Sequence, residues 1–274
     1  MRFWVLLMLC MIFPDLHSEE VPEIKLSNPE TPYVEREEKQ FNFYPGGKIE
    51  ISAGAAGNIK IVGWQKGSVR MEAEKIIYYL PPEKAKAIIE QNPIRVKWNQ
   101  TIASIRTAGP PSLEMEINLT IYVPQYKTDI KTNISHGDFS IDSVNGWIET
   151  TILQGNVSAQ STSGYFSAIT QQGDVQVEMS GKRWNGQEFA ASTQLGSVNL
   201  LLPVNYSAAL QLETRDGKIS VDFPPQVVDG EPTPPSILIK KSAQFMKAAV
   251  GDGGAPIKLF TYAGDVTLSK KTLP

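Results

Sequence analysis

Residues 137–159 read "GDFSIDSVNGWIETTILQGNVSA", with glycine at 137, 146 and 155, and the nine-residue interval continues to Gly164 and Gly173. Two residues after these glycines stand Phe139, Ile148, Val157, Phe166 and Val175. Four residues after them stand Ile141, Thr150, Ala159, Ala168 and Val177, so only Thr150 departs from an apolar pattern. Period-two alternation of this kind puts both positions on one buried face of a strand. Glycine before each strand marks a turn whose backbone other residues adopt at a cost. The same unit recurs around Gly47, Gly57, Gly67, Gly196, Gly217 and Gly264.

Each nine-residue unit buries two side chains, far too few to offset the entropy of ordering it, so no unit folds alone. Neighbouring units must share hydrogen bonds and a continuous core, which is the logic of a repeat array. The residues directly after the glycines are Asp138, Trp147, Asn156, Tyr165 and Asp174, so small polar residues and aromatics alternate. Like residues therefore recur every eighteen positions. This predicts a coil of two units, with Asp138, Asn156 and Asp174 in one outer column and Trp147 and Tyr165 in another, at the strand spacing of about 4.8 Å. An antiparallel meander predicts the same buried positions but sets Trp147 beside Asn156. The expected fold class is all-β: a β-solenoid or β-helix-like repeat array over residues 46–270. One short helical insertion is expected at "PEKAKAIIEQ" from Pro82, where proline opens a run of good helix formers.

The chain has 274 residues and a formal net charge of −3, which offers no basic field for a phosphate backbone, so nucleic-acid binding is not expected. Residues 1–18 read as a secretory signal: Arg2, the apolar run Phe3 to Phe13, then Pro14 and a cleavage after Ser18. That run of eleven is too short to span a bilayer, so no transmembrane segment is expected in the mature chain. The expected location is outside the cytoplasm, in the periplasm or at the cell surface. Cys10 is the only cysteine and falls within the signal, so disulfides, thiolate metal sites and a cysteine nucleophile are not expected. Residues 19–45 are acidic and punctuated by proline and read as a solvated lead-in. "FPPQVVDGEPTPPS" from Phe223 reads as a long loop. Lys270 and Lys271, with the acidic lead-in, are expected to discourage pairing at the open edges of the array.

No motif marks a catalytic or metal site. A calcium β-roll needs a double glycine and an aspartate at every turn, and here the following residues vary, so the aspartates read as turn residues. "SHGD" at 135–138 holds hydrolase residue types, but Ser135 and His136 are adjacent on an extended strand and point apart. "GDGG" at 251–254 leads into Pro256 and a strand, and reads as a connecting loop rather than a phosphate cradle. No cofactor is expected, and the chain is read as not an enzyme; an enzyme acting on polysaccharide is a remote third reading. Trp147 and Tyr165 are the residues singled out for ligand binding. If they face solvent, they can stack on sugar rings or on a partner protein. The expected arrangement, however, is cover by the helix at Pro82 or by "IRVKW" from Ile94, as a second core layer.

The units "TQQGDVQV" at Thr170, "TQLGSVNL" at Thr193, "TRDGKISV" at Thr214 and "TYAGDVTL" at Thr261 share Thr-x-x-Gly-x-apolar. With the closing stretch "GDGGAPIKLFTYAGDVTLSKK", they resemble the bacterial exported family described as "putative adhesins", or the toastrack domain. The resemblance covers about residues 46–270. It implies a non-catalytic β-solenoid that acts as an adhesin or surface-binding module, with a glycan or an envelope protein as partner. The alternative it leaves open is a structural or sensory module of an envelope-associated assembly.

Overall fold

The computed structural model describes residues 31–109, 115–222, 226–228, 231–233, 236–240 and 243–271, with backbone pairing alone between 226 and 243. The expected export signal lies outside these residues. The first strands are β1 (Tyr33–Asn42), β2 (Lys48–Ala53), β3 (Ile59–Trp64) and β4 (Ser68–Ile77), followed by α1 (Pro82–Gln91). Next come β5 (Arg95–Trp98), β6 (Ile102–Thr107) and β7 (Met115–Pro124). The regular run is β8 (Asp129–His136), β9 (Phe139–Asp142), β10 (Asn145–Gln154), β11 (Val157–Gln160), β12 (Ser163–Gln172) and β13 (Val175–Glu178). It continues as β14 (Gly186–Leu195), β15 (Val198–Leu202), β16 (Ala208–Asp216) and β17 (Ile219–Val221). The hairpin β18 (Gln226–Val228) and β19 (Glu231–Thr233) precedes β20 (Ser236–Lys240), β21 (Ala243–Val250), β22 (Pro256–Ala263) and β23 (Val266–Lys270).

Apart from the β18–β19 pair, these strands form two long sheets, which we call A and B. Sheet A runs β1-β4-β7-β3-β9-β11-β13-β15-β23-β17, and sheet B runs β20-β21-β16-β22-β14-β12-β10-β8-β2-β6-β5. Among β8 to β13 every pairing is parallel and offset by eighteen residues, with Trp147 opposite Tyr165 and Val157 opposite Val175. The chain is therefore a two-sheet solenoid, and the meander is excluded. The coils are not stacked in chain order. The coil β2–β3 lies between β6–β7 and β8–β9, and the last coil, β22–β23, lies between β14–β15 and β16–β17.

Three devices tie one coil to the next. The first is a glycine column: Gly155 has φ +150°, and a Cβ there would stand 2.0 Å from the carbonyl oxygen of Gly137. A side chain is thus excluded both by backbone conformation and by the neighbouring coil. At Gly146, whose φ is not in the left-handed region, only the second reason applies, because a Cβ would stand 2.0 Å from the carbonyl oxygen of Thr128.

The second device is a ladder of side-chain acceptors at the corner after β8 and its equivalents. The backbone N–H of Asp138 donates to Asn58 Oδ1 (2.9 Å), that of Asn156 to Asp138 Oδ1 (2.8 Å), that of Asp174 to Asn156 Oδ1 (2.8 Å) and that of Ser197 to Asp174 Oδ1 (2.7 Å). Corner N–H groups that no strand partner reaches are satisfied in this way. The third is the threonine of the Thr-x-x-Gly units. Thr170, Thr193, Thr261 and Thr214 are buried, and their hydroxyls donate to the carbonyls of Gly155, Gly173, Gly196 and Gly264 in the adjoining coil.

Between the sheets lies one thin apolar core. Phe139, Val157 and Val175 from sheet A and Ile148, Phe166 and Phe189 from sheet B are all buried, and the rings of Phe166 and Phe189 stack at 4.6 Å. Thr150 is buried as well, directly opposite Thr132, and neither hydroxyl has a hydrogen-bond partner. The helix α1 spans the expected residues and buries Ala85 and Ile89.

Three expectations are corrected here. First, ten residues of the stretch read as a solvated lead-in are a strand: β1 pairs antiparallel with β4 over its whole length. Its charges find partners on that strand, Arg36 with Glu74 (2.7 Å) and Glu37 with the buried Lys75 (3.1 Å), while Phe41 anchors the end in the core. Second, part of the expected long loop forms two paired strands: β18 runs antiparallel to β19, with Val228 opposite Glu231. Third, Lys270 and Lys271 do not guard an open edge. β23 is flanked by β15 and β17, and Lys271 forms an ion pair with Glu178. The inward charges of β1 stand at the edge instead, a feature that disfavours addition of a further strand.

Candidate ligand-binding face

The outer face of sheet B carries the two aromatics that the sequence singles out. Trp147 and Tyr165 sit at matched positions on β10 and β12, with ring centroids 3.9 Å apart and planes inclined by 17°. Trp147 is 44% exposed, and neither α1 nor β5 covers it. Strand β5 lies at the far end of sheet B beyond β6, and α1 packs beside β1. The expected second core layer is therefore not present over this pair. The eighteen-residue register explains the contact, because parallel strands about 4.8 Å apart leave two equivalent rings no option but to stack.

Stacking also limits what the pair can do. Each ring covers one face of the other, so the pair presents its outward edges and the second face of each ring, that of Tyr165 on the side of Glu188, not a flat two-ring platform. The orientation is held at the tryptophan: its Nε1–H donates to Glu149 Oε1 (2.8 Å) and its backbone N–H donates to Asp129 Oδ1 (2.9 Å).

Beside the pair the sheet surface is paved with small residues. Ser167, Ala190 and Ser192, with Ile169, Phe260, Lys258 and Glu213, line a shallow depression of about 300 Å³. Glu188 is opposite Tyr165 and is paired with Lys258 (3.0 Å). Charged groups, hydroxyls and an aromatic edge thus adjoin one another on a face that no other described element covers. Counting nines does not find Glu188 or Lys258. The step from Gly164 to the next glycine of its column, Gly186, is longer than eighteen residues, and the ladder shifts at Gly164/Tyr165. Lys258 belongs to the coil that is inserted out of chain order.

The remaining motifs take structural places. Ser135 and His136 end β8, and the carbonyl of His136 accepts a hydrogen bond from the N–H of Gly57 (3.0 Å). Asp138, Asn156 and Asp174 spend their side-chain oxygens on the backbone of the next coil. Gly251–Gly254 connect β21 to β22. Among the described residues no group of three or more His, Cys, Asp or Glu side chains is arranged to hold a metal ion, and no helix is long and apolar enough to cross a membrane.

No protein-family model matches the chain, and no curated protein matches it. Among solved structures it is similar to "a putative cell adhesion protein" from Clostridium sporogenes at 13% identity, over 86% of this chain and 100% of that one, with a TM-score of 0.42. It is similar to "a putative adhesin" from Bacteroides fragilis at 15% identity, over 86% and 97% of the two chains, with a TM-score of 0.38. A "putative lipid binding protein" from Parabacteroides distasonis is matched at 12% identity, over 86% and 97%, with a TM-score of 0.28.

Proposed function

We propose that this chain is an exported, non-catalytic, adhesin-like module that binds its ligand on the outer face of sheet B beside Trp147 and Tyr165. The observation that carries the reading is the stack of exposed Trp147 on half-buried Tyr165, held by Glu149 and Asp129, next to a depression floored by Ser167 and Ala190. A surface glycan suits this chemistry. The C–H face of a sugar packs on the free face of Tyr165, and its hydroxyls meet Glu188, Lys258 and Ser192. The open, shallow shape favours a segment of a longer polymer over an enclosed small molecule.

The test is retention on insoluble glycans and on a glycan array, comparing the native chain with Trp147→Ala/Tyr165→Ala. Loss of retention at an unchanged unfolding midpoint supports the reading. Retention that survives the double substitution overturns it. A blank array, together with an envelope protein recovered through the same face, replaces the glycan with a place in an envelope assembly.

A further inference from the structure

A second exposed surface stands at a corner whose 125–128 loop adjoins the turn before Trp147, but its residues are others and it does not depend on how the Trp147–Tyr165 face is read. At the corner that leads into β6, β2 and β8, three neighbouring loops are tied together by backbone hydrogen bonds. The N–H of Tyr44 donates to Gln100 O (2.8 Å), and the N–H of Gly46 donates to Lys127 O. A fourth loop, 65–67, joins them through the N–H of Phe43 to Gly67 O (3.1 Å).

The tips of these loops are apolar. Tyr44, Trp98, Ile102 and Tyr126 are 52%, 52%, 54% and 64% exposed, which gathers a third of the exposed large apolar side chains of the described residues at one end of one corner. Trp98 is held upright by stacking one ring face on Phe41 at 4.9 Å, so the other face is open. Monomeric solenoids have no packing reason to hold four large side chains in water on adjoining tips.

Charge indicates what meets them. Lys66, Lys97 and Lys127 are exposed around the same tips, and Lys66 lies 4.8 Å over the ring of Trp64. The four loops themselves, 43–47, 65–67, 99–101 and 125–128, hold no acid, and on the strands they lead into Glu50 is paired with Lys48 and Asp129 accepts the backbone N–H of Trp147. A chain of net charge −3 therefore presents a locally basic rim around amphipathic aromatics. Tryptophan and tyrosine with lysine between them is the composition that settles at the headgroup level of a bilayer, with rings among the upper acyl carbons and ammonium groups on anionic phosphates.

We infer that this corner docks the solenoid edge-on to an anionic phospholipid surface, through Tyr44, Trp98, Ile102 and Tyr126 as shallow inserts and Lys66, Lys97 and Lys127 as headgroup contacts. The strands of both sheets then stand away from the membrane, and the outer face of sheet B remains accessible.

The experiment is flotation of the full chain with vesicles of phosphatidylglycerol and phosphatidylethanolamine, against vesicles of phosphatidylcholine alone. Expected is binding to the anionic vesicles that weakens at least about tenfold in Lys66→Gln/Lys97→Gln/Lys127→Gln, since each surface lysine adds to the attraction. Tyr126→Ser/Ile102→Ser, which changes two side chains more than half exposed, is expected to weaken binding to both kinds of vesicle. Brominated acyl chains should quench the native protein and quench it less after Trp98→Phe. Equal or absent binding to the two vesicle types, or quenching indifferent to Trp98→Phe, overturns the inference. So does concentration-dependent self-association in sedimentation that the lysine or Tyr126/Ile102 variants abolish and vesicles do not compete with, because the occupant is then a second copy of the chain.

Discussion

The hydroxyl of Thr193 donates a 2.8 Å hydrogen bond to the carbonyl oxygen of Gly173 one coil away, whereas the hydroxyl of Thr150, equally buried two coils earlier, has no partner. One residue type thus plays opposite energetic roles in one core. Thr193→Val removes the donor from a buried carbonyl and is expected to cost about 1–2 kcal/mol. Thr150→Val removes an unsatisfied hydroxyl and is expected to leave stability unchanged or raise it by up to about 1 kcal/mol. Urea unfolding of the two variants measures both signs.

The glycine columns predict a steep difference between corners. Gly155→Ala drives a Cβ into the carbonyl of Gly137 at 2.0 Å and adds left-handed strain, so a loss of at least about 3 kcal/mol is expected. Gly181 has φ +75° and nothing within 4 Å of where its Cβ would stand, so Gly181→Ala is expected to cost only the backbone strain, about 1 kcal/mol. Thermal unfolding of the pair separates close approach from conformation.

Asn156 sits between Asp138 and Asp174 in the corner ladder, and its amide Nδ2 also donates to Asp138 Oδ1 (3.1 Å). Asn156→Asp keeps the acceptor for the N–H of Asp174 but sets three carboxylates in a row about 4.8 Å apart. Like charges at that spacing raise the folded-state pKa of the row. The variant is therefore expected to be less stable than the native chain at neutral pH and to recover as the pH falls or salt rises. A stability series against pH and ionic strength checks both.

Glu37 gives the native chain its own pH dependence at the β1 edge. Burial pushes its carboxyl up, but the hydrogen bonds and charges of Lys39 and Lys75 together outweigh burial and hold it below the usual carboxylate range. A lowered folded pKa means stabilisation that is present above the ordinary glutamate value of about 4.3 and is lost as the pH falls through the folded value. Glu37→Gln is expected to be less stable at neutral pH, partly because it weakens the partner of the buried Lys75, and to converge on the native chain in acid. Because Glu37 is partly exposed, the gap should narrow in salt.

Much of the repeat is legible in the sequence because its determinants are local. The residues two and four after each repeat glycine from Phe139 to Val177 are all buried, including the one polar exception, Thr150. The eighteen-residue recurrence of Trp147 and Tyr165 yields a true contact because coils in that run are free of insertions. Where insertions enter, the count fails. Glu188 and Lys258 join the candidate face through an irregular step and an out-of-order coil, and β1 was hidden because its charges look solvated until β4 supplies their partners.

By itself the sequence determined which positions of the repeat strands are buried and where the chain must turn. Each of these follows from the period of two along a strand and from glycine at the corners, within a few residues of chain. Only the tertiary structure decided the order of the coils, the capping of the edge by β1 and the exposure of Trp147, Trp98 and Tyr126. The physical reason is that every coil offers neighbours the same backbone donors, acceptors and apolar stripe. A local pattern thus permits many stacking orders, and long-range packing selects the one that satisfies both ends.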